Sequence, residues 1–405
     1  MTAHPSSLWW PGGHRAGAHM SDAALLDAVL RIESTWSRLL VDAGVAPADA
    51  RFELNALDAD AFDVAAIAQQ AEATGNYVVP VLAVLRERLP DPTASWLHRG
   101  LTSQDVVDTA TMLLAQACVQ EVRRAVVAQV EQLSGLVRRH RATPMVARTL
   151  TQPAVPTTFG VRAATWLRGL LDAHDDLSAL TFPAQLGGAA GTLGALVELG
   201  GAEAARRLLA ELGPTLGLEA TLPWHTTRAP VTRIGDAATR VSAAWGHIAN
   251  DVLVLGRPEL GELAEATAGG SSTMPGKANP TLSVLLRRHA LAAPQLSATL
   301  HLAAAEQVDE RADGGWHLEW EALATLLRRT LAAAHQATAL LEGLHVDVEQ
   351  MAARAAEYAE SLRREQRTMA DLVGRAPRDD YLGLADDLID QTLHRAAQVT
   401  DRRTA

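Results

Sequence analysis

Three segments of the chain carry side chains that bind anions and move protons. They are HRGLTSQDVVDT from His98 to Thr109, RTLTQPAVPTTFG from Arg148 to Gly160, and GGSSTMPGKANP from Gly269 to Pro280. In the first, Thr102 and Ser103 offer hydroxyls beside the N–H groups of a helix start, which suits an anion. The Thr102–Asp105 spacing also reads as a capping box, which needs no ligand. In the second, Arg148, Thr149 and Gln152 are donors suited to a carboxylate, and a turn with a proline at an early helix position is the plainer reading. In the third, Lys277 is the sole lysine of the chain. A compact ammonium serves where the planar fork of arginine does not.

The third segment is far more permissive than a helix cap requires. Gly269 and Gly270 read as hinges, Asn279 as N-cap and Pro280 as first helical residue. Gly276-Lys277-Ala278 lacks the Ser or Thr that a phosphate-binding Walker loop places after its lysine. Each segment precedes a long helical run, so their convergence would gather unpaired N–H groups and partial positive charge into an anion site.

The elements that must position these segments are helical. With 405 residues, 48% of them hydrophobic, the chain can bury a sizeable core. Alanine and leucine dominate and β-branched runs are few, which predicts an all-α protein. Ser21 opens a helix with Leu25, Leu26, Val29, Ile32, Trp36, Leu39 and Leu40 at helical spacing and Gly44 as its stop. From Thr102 the chain runs without proline to Pro144, far beyond a mean helix length, which predicts an extended bundle. Further helical stretches follow Pro156, Pro230, Pro280 and Gly315. The expected divisions are an N-terminal helical domain over 1–95, a central bundle over 96–343 carrying the three segments, and a short C-terminal helical domain over 344–405.

A net charge of −11 excludes the broad basic surface of a nonspecific nucleic-acid binder. The start, MTAHPSSLWWPGGHRAG, lacks the pattern of a signal peptide, and no apolar run approaches membrane-spanning length, so a cytoplasmic protein is expected. Cys118 is the single cysteine, which excludes intrachain disulfides. No HExxH, CxxC or clustered His/Asp spacing suggests a metal, and neither metal nor cofactor is expected.

The stretch from Gly270 to Pro280 resembles the GSSxMPxKxNP signature of the fumarase/aspartase superfamily, and HxGxTSxD and RTxxQ-like segments stand in the same order before it. This resemblance covers the region from His98 to Pro280. It implies a three-domain, mainly helical subunit with a long central bundle, assembled as a homotetramer whose active sites draw loops from three subunits. It also implies that Ser271 removes a proton from the carbon next to a carboxylate of a small polycarboxylate substrate. Lys277 and Asn279 would hold a substrate carboxylate, with Thr102, Ser103, Arg148, Thr149, Gln152, Ser272, Thr273 and Met274 as further contacts. Fixed donors aimed at the aci-carboxylate that forms lower the barrier. Serine is a poor base at its ordinary pKa, so the loop must surround Ser271 with donors and exclude water.

Related family members usually have histidine after the Arg-Thr of the second segment, where it helps protonate the leaving group. This chain has Leu150 there. Loss of that acid counts against the nitrogen leaving groups of adenylosuccinate and argininosuccinate lyases and fits a carboxylate, which needs no proton. The resemblance therefore points to the 3-carboxy-cis,cis-muconate cycloisomerase subgroup, to which TSQDVVDTA, QPAVPTTFG, QLGGAAGTLGAL, PWHTTR and ERADGGWHLEW are also similar. Alternatives are a superfamily lyase for a succinyl-type substrate, including one with a specialised biosynthetic role, and an inactive helical scaffold.

By the same resemblance His98 matches a position used for substrate binding or acid/base work. His225 either contributes to the site or packs beside Trp224, and His317 reads as core or as a support behind the site. Arg311 is suited to a two-point carboxylate contact, or to an ion pair with Asp309, Glu310 or Asp313.

Overall fold

A computed structural model describes residues 8–53, 62–267 and 269–401. The ends of the expected terminal domains, 1–7 and 402–405, lie outside the described residues.

The N-terminal helices are α1 (Asp22–Asp42), α2 (Val64–Thr74), α3 (Val78–Arg88) and the short α4 (Thr93–Trp96). Ser21 caps α1 by accepting from the Ala24 N–H, and Gly44 follows its end at a φ of 70°. Helix α5 (Ser103–Arg139) is 37 residues long and spans about 55 Å. Its buried residues Val119, Val122, Val126, Val130, Leu133 and Val137 recur every three or four positions. After a strand pair come α6 (Phe159–Ser178), α7 (Gly194–Leu216), α8 (Ala229–Leu255), α9 (Thr281–Ala305) and α10 (Gly315–Glu342). Four helices then close the chain: α11 (Val348–Glu357), α12 (Ala359–Leu362), α13 (Arg364–Leu372) and α14 (Ala385–Asp401).

Strand structure among the described residues is confined to two antiparallel pairs, β1 (Pro144–Thr149) with β2 (Gln152–Thr158), and β3 (Leu263–Glu265) with β4 (Leu344–Val346). The first pair corrects the sequence reading of Arg148 to Gly160 as a plain turn. It is a hairpin with Thr149 opposite Gln152, and Leu150 and Thr151 form its two-residue turn at φ values of 47° and 72°. Pro153 and Pro156 masked it, yet in a two-stranded ribbon a strand can carry residues that donate nothing to a ladder.

The chain folds as two compact units. The first comprises Met1–Glu121, Ala179–Asp236 and Gln295–Leu331, and the second Val122–Ser178, Ala237–Pro294 and Ala332–Ala405. Each buries large indoles, several of which donate their N–H groups to partners within the unit. In the first, Trp36 donates to the Arg99 carbonyl (2.8 Å) and Trp316 to Asp108 (3.0 Å). In the second, Trp166 donates to Asp251 (2.7 Å) and Trp245 to Gln129 (2.8 Å). No helix among the described residues is long and apolar enough to cross a membrane.

Candidate active site

In the second unit, the segment from Gly269 to Pro280 is a loop tied at its neck. The Gly269 N–H donates to the Asn279 carbonyl (2.8 Å), the Asn279 N–H donates back to Gly269 (2.9 Å), and the Asn279 amide donates to the Gly270 carbonyl (3.2 Å). A Cβ on Gly269 would stand 2.1 Å from Thr281 Oγ1. Gly269 is therefore required by close approach where the two ends of the loop cross. Inside the loop, Ser271 Oγ accepts from the N–H groups of Met274 (3.0 Å) and Thr273 (3.4 Å). Ser271 is half-buried, while Ser272, Thr273, Met274 and Lys277 are exposed.

Helix α9 begins at Thr281, and Asn279 is not its cap. Glu265, at the end of β3, accepts from the N–H groups of Leu282 (3.0 Å) and Ser283 (2.8 Å) and from the Ser283 hydroxyl (2.6 Å). Those N–H groups, expected to await an anion, already hold the chain's own carboxylate at the positive end of the helix dipole. A cap that arrives from another element leaves no signal at Asn279-Pro280.

At the other end of β3, the buried Glu262 carboxylate takes the Arg148 guanidinium in a two-point pair, Nη2 to Oε1 at 2.7 Å and Nη1 to Oε2 at 3.2 Å. The donor expected to await a substrate carboxylate is thus engaged with a protein one. Beyond it, Thr149, Leu150, Thr151 and Gln152 lie exposed at the hairpin tip. The segment from Glu262 to Glu265 accordingly straps the hairpin and the start of α9 to one strand.

In the first unit, the Thr102 N–H donates to Asp105 Oδ2 (3.0 Å), one half of a capping box. The other half is replaced: Thr102 Oγ1 accepts from Arg311 Nη2 at 2.7 Å. Arg311 Nε donates to Gln104 Oε1 (3.1 Å), so neutral partners, not Asp309, Glu310 or Asp313, hold this guanidinium. Ser103, the first residue of α5, is half-buried. Asp105 also accepts from the N–H groups of Gly187 (2.8 Å) and Gly188 (3.1 Å). Burial pushes its carboxyl up to about 7 against the pull of these three donors.

Behind Thr102 and Arg311 lies a buried network that the sequence reading touched only as segments. Arg228 pairs with Asp108 through Nη1 (2.8 Å) and Nη2 (2.9 Å), and reaches Glu319 Oε2 at 2.6 Å. Burial opposes the Arg228 charge, but Asp108 and Glu319 outweigh it and push its pKa up. Burial pushes the Glu319 carboxyl up, with Arg228 opposing. Gln104 donates to Asp108 (3.2 Å) and to the His225 carbonyl (2.8 Å). TSQD, PWHTTR and ERADGGWHLEW therefore meet in this unit.

The histidines separate. The His225 ring stands where a Cβ on Gly191 would be, 2.3 Å from Cε1, and its Nδ1 is buried without a partner among the described residues. Burial, followed by the Arg311 charge, lowers its pKa and favours a neutral ring. His317 is not core, and its ring stands edge-on to Trp316 with centroids 5.2 Å apart. It is exposed and bonded to the Gly75 carbonyl at 2.8 Å. His98, half-buried at a φ of 65°, places Nδ1 2.7 Å from Glu33 Oε1.

A family model described as "Lyase" matches residues 42–293. A nitrosuccinate lyase from Streptomyces davaonensis is 42% identical over 349 residues, covering 83% of this chain and 73% of that protein. A 3-carboxy-cis,cis-muconate cycloisomerase from Bradyrhizobium diazoefficiens is 37% identical over 344 residues, covering 82% and 75%. Among solved structures, a 3-carboxy-cis,cis-muconate lactonizing enzyme from Pseudomonas putida superposes with a TM-score of 0.80 at 26% identity, covering 94% of this chain and 96% of that one.

Proposed function

The chain belongs to the lyase family of the fumarase/aspartase superfamily, and we propose that it breaks a bond β to a carboxylate, expelling a group that leaves as a stable anion. The preferred substrate is a nitrosuccinate, with nitrite as leaving group. Removing the proton from the unsubstituted carbon places the C–H electron pair on the neighbouring carboxylate as an aci-carboxylate. Its collapse forms the carbon–carbon double bond of fumarate, and the C–N pair departs with nitrite. Nitrite needs no proton to leave, so the exposed Leu150 in place of an acid fits this chemistry.

The observation that carries this reading is the Ser271 oxygen, which accepts two backbone N–H groups. Donors aimed at that oxygen favour its anionic form, as a serine base requires. In this reading Lys277 and Asn279 hold the carboxylate that takes up charge, with Thr102, Ser103, Thr149, Gln152, Ser272, Thr273, Met274 and Arg311 as further contacts. His98 serves acid/base work at the substrate. Arg148, engaged with Glu262, positions the hairpin. The 1–95, 96–343 and 344–405 divisions, a cytoplasmic homotetramer and active sites shared among three subunits complete the proposal.

The second reading is the cycloisomerase anticipated from the sequence, in which a lactone carboxylate leaves to give 3-carboxy-cis,cis-muconate. It shares the leaving-group argument and is favoured by the 37% identical cycloisomerase. It stands second because the nitrosuccinate lyase is more similar, at 42%. Purified protein is incubated with nitrosuccinate, following nitrite and fumarate, and separately with 3-carboxy-cis,cis-muconate, following loss of the diene. Equal nitrite and fumarate support the first reading. Turnover of the muconate alone transfers the conclusion to the second, and turnover only of adenylosuccinate or argininosuccinate rejects both.

A further inference from the structure

We propose that Glu33 is a positioning residue that fixes the tautomer and orientation of His98. The inference rests on the role given to His98 above, and it adds a residue from the first helix that carries no sequence motif.

Glu33 and Trp36 lie three positions apart on α1, on one face of the helix, and both are fully buried. Both reach the turn that carries His98. Glu33 Oε1 stands 2.7 Å from His98 Nδ1, and Trp36 Nε1 donates to the Arg99 carbonyl at 2.8 Å. One prong holds the side chain and the other the backbone beside it. The turn needs holding, because His98 sits at a φ of 65°, a region that costs a non-glycine residue on the order of 1 kcal/mol or more. Gly100, two residues on, is also left-handed, at 83°.

The pairing decides the chemistry of the ring. A carboxylate only accepts, so Nδ1 carries the hydrogen, and in the neutral ring Nε2 keeps its lone pair. A histidine so held has one basic nitrogen at a fixed orientation, the arrangement by which a buried acid prepares an imidazole for proton transfer or for gripping a substrate group. Glu33 gains little from folding in return. Its other oxygen, Oε2, is buried without a hydrogen-bond partner among the described residues. A half-satisfied buried carboxylate is costly, and an apolar residue would serve packing better.

The test combines a ring measurement with a double-mutant cycle. In free wild-type protein labelled at histidine nitrogen, with His98 assigned by its loss in His98→Asn, the expected signal is that of the Nδ1–H tautomer. An Nε2–H signal overturns the proposal without reference to any substrate. With the substrate that the wild type turns over, Glu33→Gln is expected to lower kcat by about a hundredfold while KM moves by less than about threefold. If Glu33 acts through His98, Glu33→Gln/His98→Asn is no slower than His98→Asn alone. Losses that multiply, or an unchanged kcat in folded Glu33→Gln, overturn the positioning role. Should Glu33→Gln not fold, Glu33→Asp takes its place in the cycle. A wild type inactive on both substrates defeats the proposed function, and the tautomer then decides the positioning claim by itself.

Discussion

Arg148 and Glu262 meet in a two-point pair whose carboxylate is fully buried and whose guanidinium is 15% exposed. This pair holds the hairpin next to its tip, and three residues beyond Glu262, Glu265 takes the start of α9. Replacing Arg148 by alanine leaves a buried carboxylate unpaired and is expected to cost about 3–5 kcal/mol of stability, read from denaturant unfolding. Lysine, which supplies charge without the fork, should recover only part of the loss.

Glu265 is the remote cap of α9. Glu265→Ala should cost about 0.5–2 kcal/mol, in the range of lost caps, and Glu265→Gln less. The alanine variant should also lose activity out of proportion to its stability, because the loop carrying Ser271 ends at that helix. Thermal unfolding and kcat measured on the same preparations check this.

Gly269 is fixed by crowding against Thr281. Gly269→Ala should impair turnover, since its Cβ displaces either the neck hydrogen bonds or the Thr281 hydroxyl. Thr281→Ala alone should be mild, and adding it to Gly269→Ala should restore part of the activity. A double variant as impaired as Gly269→Ala assigns the defect to something other than that contact.

Asp105 sets a pH dependence. Its carboxyl lies near 7 in the folded protein and near 3.8 in the unfolded chain. Between these values the folded state binds the extra proton, so the contribution to stability is full below about pH 4 and is lost as pH rises through 7. Asp105→Asn should flatten that part of the stability profile, measured by denaturant unfolding across the range.

Much of the scaffold was legible in the sequence because it is encoded locally. Ser21, the apolar spacing of α1 and Gly44 mark a helix by its own residues, and α5 runs from Ser103 to Arg139 through the proline-free stretch. The hairpin was missed because Pro153 and Pro156 speak against strands unless the pair is only two strands wide. Glu265 capping Leu282 and Ser283, Glu262 holding Arg148, and Asp108 with Glu319 enclosing Arg228 were invisible for a different reason. Each joins residues at least 17 positions apart, and no periodicity records such a partner. The candidate loops were legible as motifs. Their internal wiring, including the donors on Ser271, was not.

In the proposed reaction everything turns on Ser271 Oγ taking the proton whose loss expels the leaving group. The most direct measurement is the rate of nitrite release from nitrosuccinate by wild type and by Ser271→Ala with unchanged oligomeric state. The expected result is a fall of at least about a hundredfold in kcat, with nitrite and fumarate formed in equal amounts by the wild type. Release by Ser271→Ala at the wild-type rate would contradict it.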